Sequence, residues 1–256
     1  MTPRLLIFAV GAAAMVLAGC GKFPGQPDEH HHKYVRPEEV SDFKKLYAGN
    51  CAGCHSLEAG KIAAARSLND PAFAKFVGKE NIEKLIAGGV KNTAMPALGA
   101  KYGGYLTDAQ IAILADGILE TAGIESDKVA TSADLPPYSG PVGNAEAGKA
   151  AFAANCVSCH GPEGTGNREK KIGSIVDPNF LALTSDQSLR SLIIVGRSDL
   201  KHPDRTQLVS GKTLSDADVA DIVGYLASLR PSRETGVVGV PPIAAAVPHP
   251  SPTPGS

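Results

Sequence analysis

Apolar side chains recur every three or four residues in two parts of this chain, and each part predicts amphipathic helices. In the first part, the spacing predicts three helices: one ending before residue 51, one at 82–87, and one beginning after Thr107, which is placed to cap it. In the second part, the same order returns: 147–155, 189–195 and a last helix after Ser215. The pattern therefore predicts an all-α fold in which one helical plan is used twice.

The two ends of the chain depart from this plan. Residues 1–19 combine Arg4 with an apolar run and end in Leu-Ala-Gly, which predicts a signal peptide and resembles a bacterial lipobox with Cys20 as the lipidated residue. A signal peptide cut elsewhere and an uncleaved anchor are the alternatives, although the run is short for a membrane span. Residues 20–36 predict a flexible tether. The Pro- and Ala-rich residues 231–256 predict a disordered tail.

The strongest chemical signal is a pattern that occurs twice, Cys-Ala-Gly-Cys-His and Cys-Val-Ser-Cys-His. Two thiols at this spacing, followed directly by an imidazole, suit a porphyrin whose vinyl groups bond the thiols while the imidazole binds the iron. Zinc would need a second ligand pair at a matching distance, and a redox-active cysteine pair would not need the histidine. The pattern therefore predicts two covalently attached c-type haems, bound by Cys51, Cys54 and His55 and by Cys156, Cys159 and His160.

Composition favours two small haem domains over two conventional cores. Among 256 residues there are 28 glycines and 19 prolines, and no tryptophan. A flat apolar macrocycle in each half supplies a centre around which short helices can pack. We expect domain 1 at 37–123, a Ser-, Pro- and Gly-rich linker at 124–143, and domain 2 at 144–230. The net charge of −1 gives no indication of nucleic-acid binding, and haem propionates would favour a partner with a positive patch.

A helix, the Cys-x-x-Cys-His motif, loops, a short helix, a Met-Pro loop and a terminal helix together resemble the class I cytochrome c fold. The tandem arrangement over residues 37–230 is similar to di-haem c-type cytochromes, and the segments 159–166, 177–180 and 192–197 resemble their second haem domain. The resemblance implies two cytochrome c-like domains, each made of a few short helices around one covalently bound haem. It also implies export, because bacteria attach such haems on the outer side of the cytoplasmic membrane.

The resemblance further implies a methionine as the second axial ligand of haem 1. In this family, a methionine followed by proline usually binds the iron opposite the histidine, and Met95-Pro96 fits that pattern. Met95 is also the only methionine left once Met1 and Met15 are removed with the signal peptide. A thioether ligand raises the reduction potential, so haem 1 is expected to be the higher-potential centre.

Domain 2 has no methionine, and its second ligand is predicted from the position of a glycine. The sixth residue after Gly89 is the methionine of domain 1, and the sixth residue after Gly196 is His202. His202 is therefore predicted to bind haem 2, which would give bis-histidine ligation and a lower potential. The alternatives are an open iron, or ligation by Lys201 or Lys212.

These ligand sets predict an electron carrier, because two six-coordinate irons leave no site for a substrate. The alternative is a haem enzyme or a gas- or peroxide-binding protein, if haem 2 is five-coordinate. Glu163 and Asp199 lie in predicted loops, and nothing marks either as an acid–base group. A sensor or assembly module has no supporting feature.

The setting implied by the resemblance is a respiratory chain. We expect a lipid-anchored protein that faces the periplasm or the cell exterior. A quinol-oxidising complex is the expected donor, and a terminal oxidase or soluble cytochrome the expected acceptor.

The last helices of the two domains differ at one position. Gly117 takes the place of the aromatic residue that domain 2 supplies with Tyr225. We expect the contact between the first and last helices of domain 1 to be looser, or to be filled from domain 2.

Overall fold

The computed structural model describes residues 35–58, 64–125, 135–208 and 210–231. The chain divides into two compact units, residues 1–39 and 40–256. The described part of the first unit contains one 3₁₀ turn, Pro37–Glu39. The predicted signal peptide, Cys20, nearly all of the tether and nearly all of the tail lie outside the described residues.

The described part of domain 1 is helical. It contains four α-helices: α1 (Phe43–Asn50), α2 (Pro71–Val77), α3 (Lys79–Gly88) and α4 (Asp108–Thr121). A 3₁₀ turn, Ala100–Tyr102, precedes α4. Helices α1, α3 and α4 correspond to the three helices that the apolar spacing predicts.

Domain 2 follows the same order with additional short helices. It contains α5 (Ala145–Asn155), α6 (Val157–His160), α7 (Pro178–Leu183), α8 (Asp186–Val195) and α9 (Asp216–Ser228). Two 3₁₀ turns lie between them, Pro162–Gly164 and Ser198–Leu200. Within the described ranges there are isolated bridges but no β-strand, so the predicted all-α fold is confirmed.

Polar side chains fix where the helices begin. The predicted N-cap of α4 is confirmed, because Thr107 and Gln110 form a reciprocal capping box in which each side chain binds the other's backbone N–H. Helices α2 and α7 were not predicted from periodicity. Each begins at an Asp-Pro pair, in which Asp70 or Asp177 caps the free N–H groups and proline occupies the first helical position.

The first and last helices of each domain pack together through one aromatic side chain set against one glycine. In domain 2 the glycine is on the first helix, and a Cβ atom on Gly148 would lie 1.8 Å from the Asp221 carbonyl oxygen and 2.9 Å from the Cβ atom of Tyr225. In domain 1 the arrangement is reversed, because the ring of Phe43 on α1 lies against Gly117 on α4. The expected loose contact is therefore wrong: Phe43, from the same domain, fills the space that an aromatic residue on α4 would take.

The two domains contact each other through α2 and α8. The ring of Phe76 on α2 packs edge-on against Tyr138 of the linker, with 5.6 Å between ring centroids. Gln187 and Arg190 of α8 both donate hydrogen bonds to the Tyr138 carbonyl oxygen. This interface brings the loop that follows the first haem motif next to the loop that carries His202.

Candidate haem-binding sites

The first Cys-x-x-Cys-His motif is a tight turn at the end of α1. The N–H of Cys51 donates to the Tyr47 carbonyl, and the N–H groups of Cys54 and His55 donate to the Cys51 carbonyl at 3.1 and 2.9 Å. The hydroxyl of Tyr47 donates to the His55 carbonyl at 3.0 Å. Helix α1 therefore fixes the positions of both thiols and of the imidazole.

The second motif is built in the same way at the end of α5. The N–H of Cys156 donates to the Phe152 carbonyl, and the N–H groups of Cys159 and His160 donate to the Cys156 carbonyl at 3.1 and 2.9 Å. The final residues of the motif form the short helix α6. Since these bonds repeat those of domain 1, the two motifs present the same groups with the same backbone geometry.

The chemistry of the cysteines fits thioether attachment. Burial raises the pKa of the Cys51 thiol to about 11 and that of the Cys156 thiol to about 11. A buried thiolate is costly, whereas a thioether carries no charge and tolerates an apolar environment. All four cysteines in the described ranges are free of disulfide bonds. Those ranges also contain no cluster of three or more His, Cys, Asp or Glu side chains arranged to hold a metal ion.

The imidazole of His55 is oriented by the backbone. Its Nδ1 lies 2.7 Å from the carbonyl oxygen of Arg66, and because a carbonyl can only accept, Nδ1 donates the proton. This bond leaves Nε2 as the nitrogen with a free lone pair, as a metal-ligating histidine requires. Burial lowers the pKa of His55, which favours the neutral form that can bind iron.

In domain 2, His160 and His202 face each other. Their ring centroids are 5.8 Å apart and their planes are inclined by 42°. With metal–nitrogen bonds of about 2 Å, one metal ion fits between two imidazoles at such a spacing. The Nδ1 atoms of both rings are buried and have no hydrogen-bond partner in the protein. Burial lowers the pKa of both rings, and the proximity of His160 lowers the pKa of His202 further.

The two predicted second ligands lie on loops of the same construction. In each loop, the residue after the glycine donates its N–H to the carbonyl of the predicted ligand, at 3.1 Å for Met95 and 3.0 Å for His202. Gly89 and Gly196 have similar conformations, with φ of 66° and 65°. The side chain of Met95 is half-buried. The Met95 loop and the His202 loop, which correspond in sequence position, therefore also have the same backbone geometry.

Comparison with known proteins gives a cytochrome c family for each half. The family model "Cytochrome c" matches residues 145–230, and the model "Cytochrome C oxidase, cbb3-type, subunit III" matches residues 38–116. Each matched segment contains one complete Cys-x-x-Cys-His motif. The chain is a di-haem c-type cytochrome. It therefore carries two covalently bound haems in tandem cytochrome c domains.

The curated relatives of this cytochrome are oxidase subunits. It is 29% identical over 160 residues to the cbb3-type cytochrome c oxidase subunit CcoP of Rubrivivax gelatinosus, with 62% of this chain and 46% of the relative covered. It is also 29% identical over 162 residues to the subunit FixP of Bradyrhizobium sp. strain ORS 278, with 60% and 51% covered. The chain spans about half the length of these relatives. No solved structure matches it significantly.

Other side chains singled out in the sequence of the cytochrome have local roles or face solvent. Lys201, Lys212 and Glu163 are exposed. The carboxylate of Asp199 is bonded to Arg197, with 3.0 Å between Nε and Oδ1. In the described part of the chain, no helix has the length and apolar character needed to span a membrane.

Sequence reasoning missed Arg66, which contacts both haem sites of the cytochrome. Its carbonyl binds the His55 ring, and its guanidinium donates to the carbonyl of Gly196 at 2.6 Å. The second contact joins residues 130 positions apart and uses a backbone acceptor. No local pattern could have indicated it.

Proposed function

We propose that this cytochrome relays single electrons between redox partners at the outer side of a bacterial membrane. In this proposal, Cys51 and Cys54 hold haem 1, with His55 and Met95 as its axial ligands. The corresponding set for haem 2 is Cys156, Cys159, His160 and His202. A c-type haem supplies a one-electron couple between ferrous and ferric iron when bound.

The observation that carries the proposal is the facing pair His160 and His202. Two half-buried imidazoles with 5.8 Å between their ring centroids support ligation of one iron from both sides. Ligation from both sides leaves no position for peroxide, oxygen or another substrate. The pair therefore favours electron relay over a haem enzyme.

The two ligand sets also predict a direction. A thioether from Met95 raises the potential of its haem, whereas the second imidazole from His202 favours the ferric state. Electrons are therefore expected to run downhill from domain 2 to domain 1. An acceptor would then dock near domain 1, and a donor near domain 2.

The proposed location rests on the N-terminal sequence. We propose that residues 1–19 are a signal peptide, that Cys20 is lipidated, and that residues 20–36 tether the haem domains to the membrane. The protein would then face the periplasm or the cell exterior. Domains at 37–123 and 144–230, a linker at 124–143 and a tail at 231–256 complete the proposed organisation.

The relatives favour a terminal oxidase as one partner. They are named as subunits of cbb3-type cytochrome c oxidases, so we propose that the cytochrome delivers electrons to an oxidase complex. A quinol-oxidising complex would supply the electrons, and a soluble cytochrome is the alternative acceptor.

The decisive experiment is low-temperature electron paramagnetic resonance of the oxidised, haem-loaded protein and of His202→Ala. The wild type should show two low-spin ferric signals, and one of them should become high-spin in the variant. Lys201→Ala and Lys212→Ala remove the alternative ligands as controls, and both should keep the two low-spin signals. A high-spin signal already present in the wild type would mean an open iron and would support the enzyme alternative instead.

A further inference from the structure

Four charged side chains lie between the two haem sites. Arg66 and Asp70 come from domain 1, and Arg197 and Asp199 come from domain 2. The side chains are 12%, 7%, 15% and 4% exposed, respectively, so the cluster is largely withdrawn from solvent. Charges are rarely placed in such an environment unless each is paired, and each arginine here has an aspartate partner.

Arg66 is the member of this cluster that contacts both sites. Its carbonyl oxygen accepts from Nδ1 of His55, the predicted ligand of haem 1, at 2.7 Å. Its Nη2 donates to the Gly196 carbonyl at 2.6 Å. Arg197, which follows Gly196 in the chain, exchanges backbone hydrogen bonds of 3.0 and 2.9 Å with His202. An unbroken series of covalent and hydrogen bonds therefore runs from the His55 ring to the His202 backbone.

Two further contacts fix the guanidinium of Arg66 in this position. Its Nη1 lies 3.3 Å from the Asp70 carboxylate, and that carboxylate also accepts from the Ser198 hydroxyl at 3.4 Å. Its Cζ atom lies 4.5 Å from the centre of the Phe73 ring, in a cation–π arrangement. Burial lowers the pKa of Arg66 to about 10, which still leaves the group positively charged at neutral pH. The guanidinium is therefore held in one place, with Asp70 as its charge partner.

We propose that Arg66 couples the two haem sites, holding the His55 ring through its carbonyl and the His202 loop through its guanidinium. This inference rests on the proposed ligation of haem 2 by His202. Loss of the Arg66 charge would leave the Asp70 carboxylate uncompensated between the two sites, and a negative charge there favours the ferric states, because charge interactions are weakly screened away from water. Coupling of this kind is reciprocal, so a change at either site alters the other.

The test is substitution of Arg66 in the full-length, haem-loaded protein, read out by redox titration and electron paramagnetic resonance. Arg66→Met removes the charge and the donors but keeps the carbonyl that binds His55. We expect both reduction potentials to fall by at least about 59 mV, which corresponds to a tenfold change in a one-electron redox equilibrium. We also expect the low-spin signal of haem 2 to shift or broaden, although the substitution lies in domain 1.

Arg66→Lys separates charge from geometry, and it serves if Arg66→Met does not fold. It keeps the cation but loses the fork of donors, so the potentials should be largely restored while the haem 2 signal remains altered. Arg190→Met is the matched control. Arg190 is another buried arginine that donates to backbone carbonyls and pairs with an aspartate, but its bonds go to the linker and to Asp216 of its own domain. It should leave both potentials and both signals unchanged.

The outcomes separate this inference from the proposed ligation. If His202→Ala converts haem 2 to high spin while both Arg66 variants leave the haem 2 signal and both potentials unchanged, the coupling role is overturned and the ligation stands. If His202→Ala leaves haem 2 unchanged, the ligation fails and the coupling proposal fails with it.

Discussion

Gly196 lies directly against the backbone of His202, so that a Cβ atom added to the glycine would be 2.5 Å from the His202 carbonyl oxygen. Its φ of 65° and ψ of −162° belong to a region that only glycine occupies without strain. Gly89 has the same conformation, and a Cβ atom there would be 2.8 Å from the Met95 carbonyl oxygen. Each predicted ligand loop is therefore shaped by a glycine that no other residue can replace without displacing the loop.

Replacing Gly196 should disturb haem 2 selectively. Gly196→Ala should introduce strain of about 1–3 kcal/mol and push the His202 backbone away, lowering the melting temperature. Electron paramagnetic resonance should then show a high-spin fraction at haem 2, with the haem 1 signal retained. Gly173→Ala is the control in the same domain, because a Cβ atom there has nothing within 4 Å. Equal effects of the two substitutions would contradict the prediction.

The resemblance between the two ligand loops could be found in the sequence, because in each loop the predicted ligand is the sixth residue after a glycine. The sequence also predicted the longer helices, whose apolar residues recur over several turns. Helices α2 and α7 have seven and six residues, which is too short for a periodic signal. The Asp-Pro pair at the start of each was the signal available for predicting them.

Contacts between the domains could not be predicted from the sequence. Arg66 reaches the Gly196 carbonyl, and a backbone acceptor leaves no trace in residue type.

Within domain 1, the pairing of Phe43 with Gly117 was also missed. The counterpart of Gly117 in domain 2 is Tyr225 on the same helix, so the aromatic partner of Gly117 was not expected on the opposite helix.

Replacing Met95 should change haem 1 only. Met95→Ala removes the thioether that we propose as the second ligand. The weak sulfur-to-iron charge-transfer band of ferric Met-ligated haem should disappear, and the potential of haem 1 should fall because thioether ligation raises it. Absorption spectroscopy and redox titration measure both effects. Persistence of the band in the variant would remove Met95 from the ligand set.

Peroxide turnover should distinguish a relay from an enzyme. If His202 closes the second face of haem 2, steady-state peroxide consumption by the wild type should not exceed that of an equal concentration of free haem. His202→Ala opens the iron and should raise consumption several-fold. Turnover by the wild type that matches or exceeds that of the variant would count against a pure relay.

Acid should weaken the cluster at the domain interface through Asp199. The guanidinium of Arg197 holds the pKa of Asp199 below its ordinary value of 3.8. The folded pKa is therefore the lower one, and ionised Asp199 stabilises the fold above pH 3.8. This stabilisation is lost as the pH falls from 3.8 through the folded pKa.

Denaturant unfolding of the wild type and of Asp199→Asn, repeated from about pH 7 to about pH 3, measures this contribution. The variant should be less stable at neutral pH, because it leaves Arg197 buried without its charge partner. The difference in the free energy of unfolding should narrow as the pH falls. If the difference in the free energy of unfolding stays constant over this pH range, the charge of Asp199 is not its source.

The reversed aromatic–glycine pair predicts that domain 1 can be converted to the arrangement of domain 2. Gly117→Tyr alone places a second ring where Phe43 already lies, and such overpacking typically costs about 1–3 kcal/mol or more. Phe43→Gly alone leaves a void between α1 and α4 and should cost about 3–5 kcal/mol. The double variant restores one ring and one glycine in the order that Gly148 and Tyr225 show in domain 2.

Thermal unfolding of the haem-loaded single and double variants completes a double-mutant cycle. We expect the double variant to be more stable than either single variant, with a coupling energy of about 1–3 kcal/mol. Gly49→Ala is a control for the effect of a new side chain at a helical glycine in the same domain, because a Cβ atom there has nothing within 4 Å. Strictly additive losses would mean that the Phe43 ring and the glycine do not form one packing unit, since only contacting positions share a coupling energy.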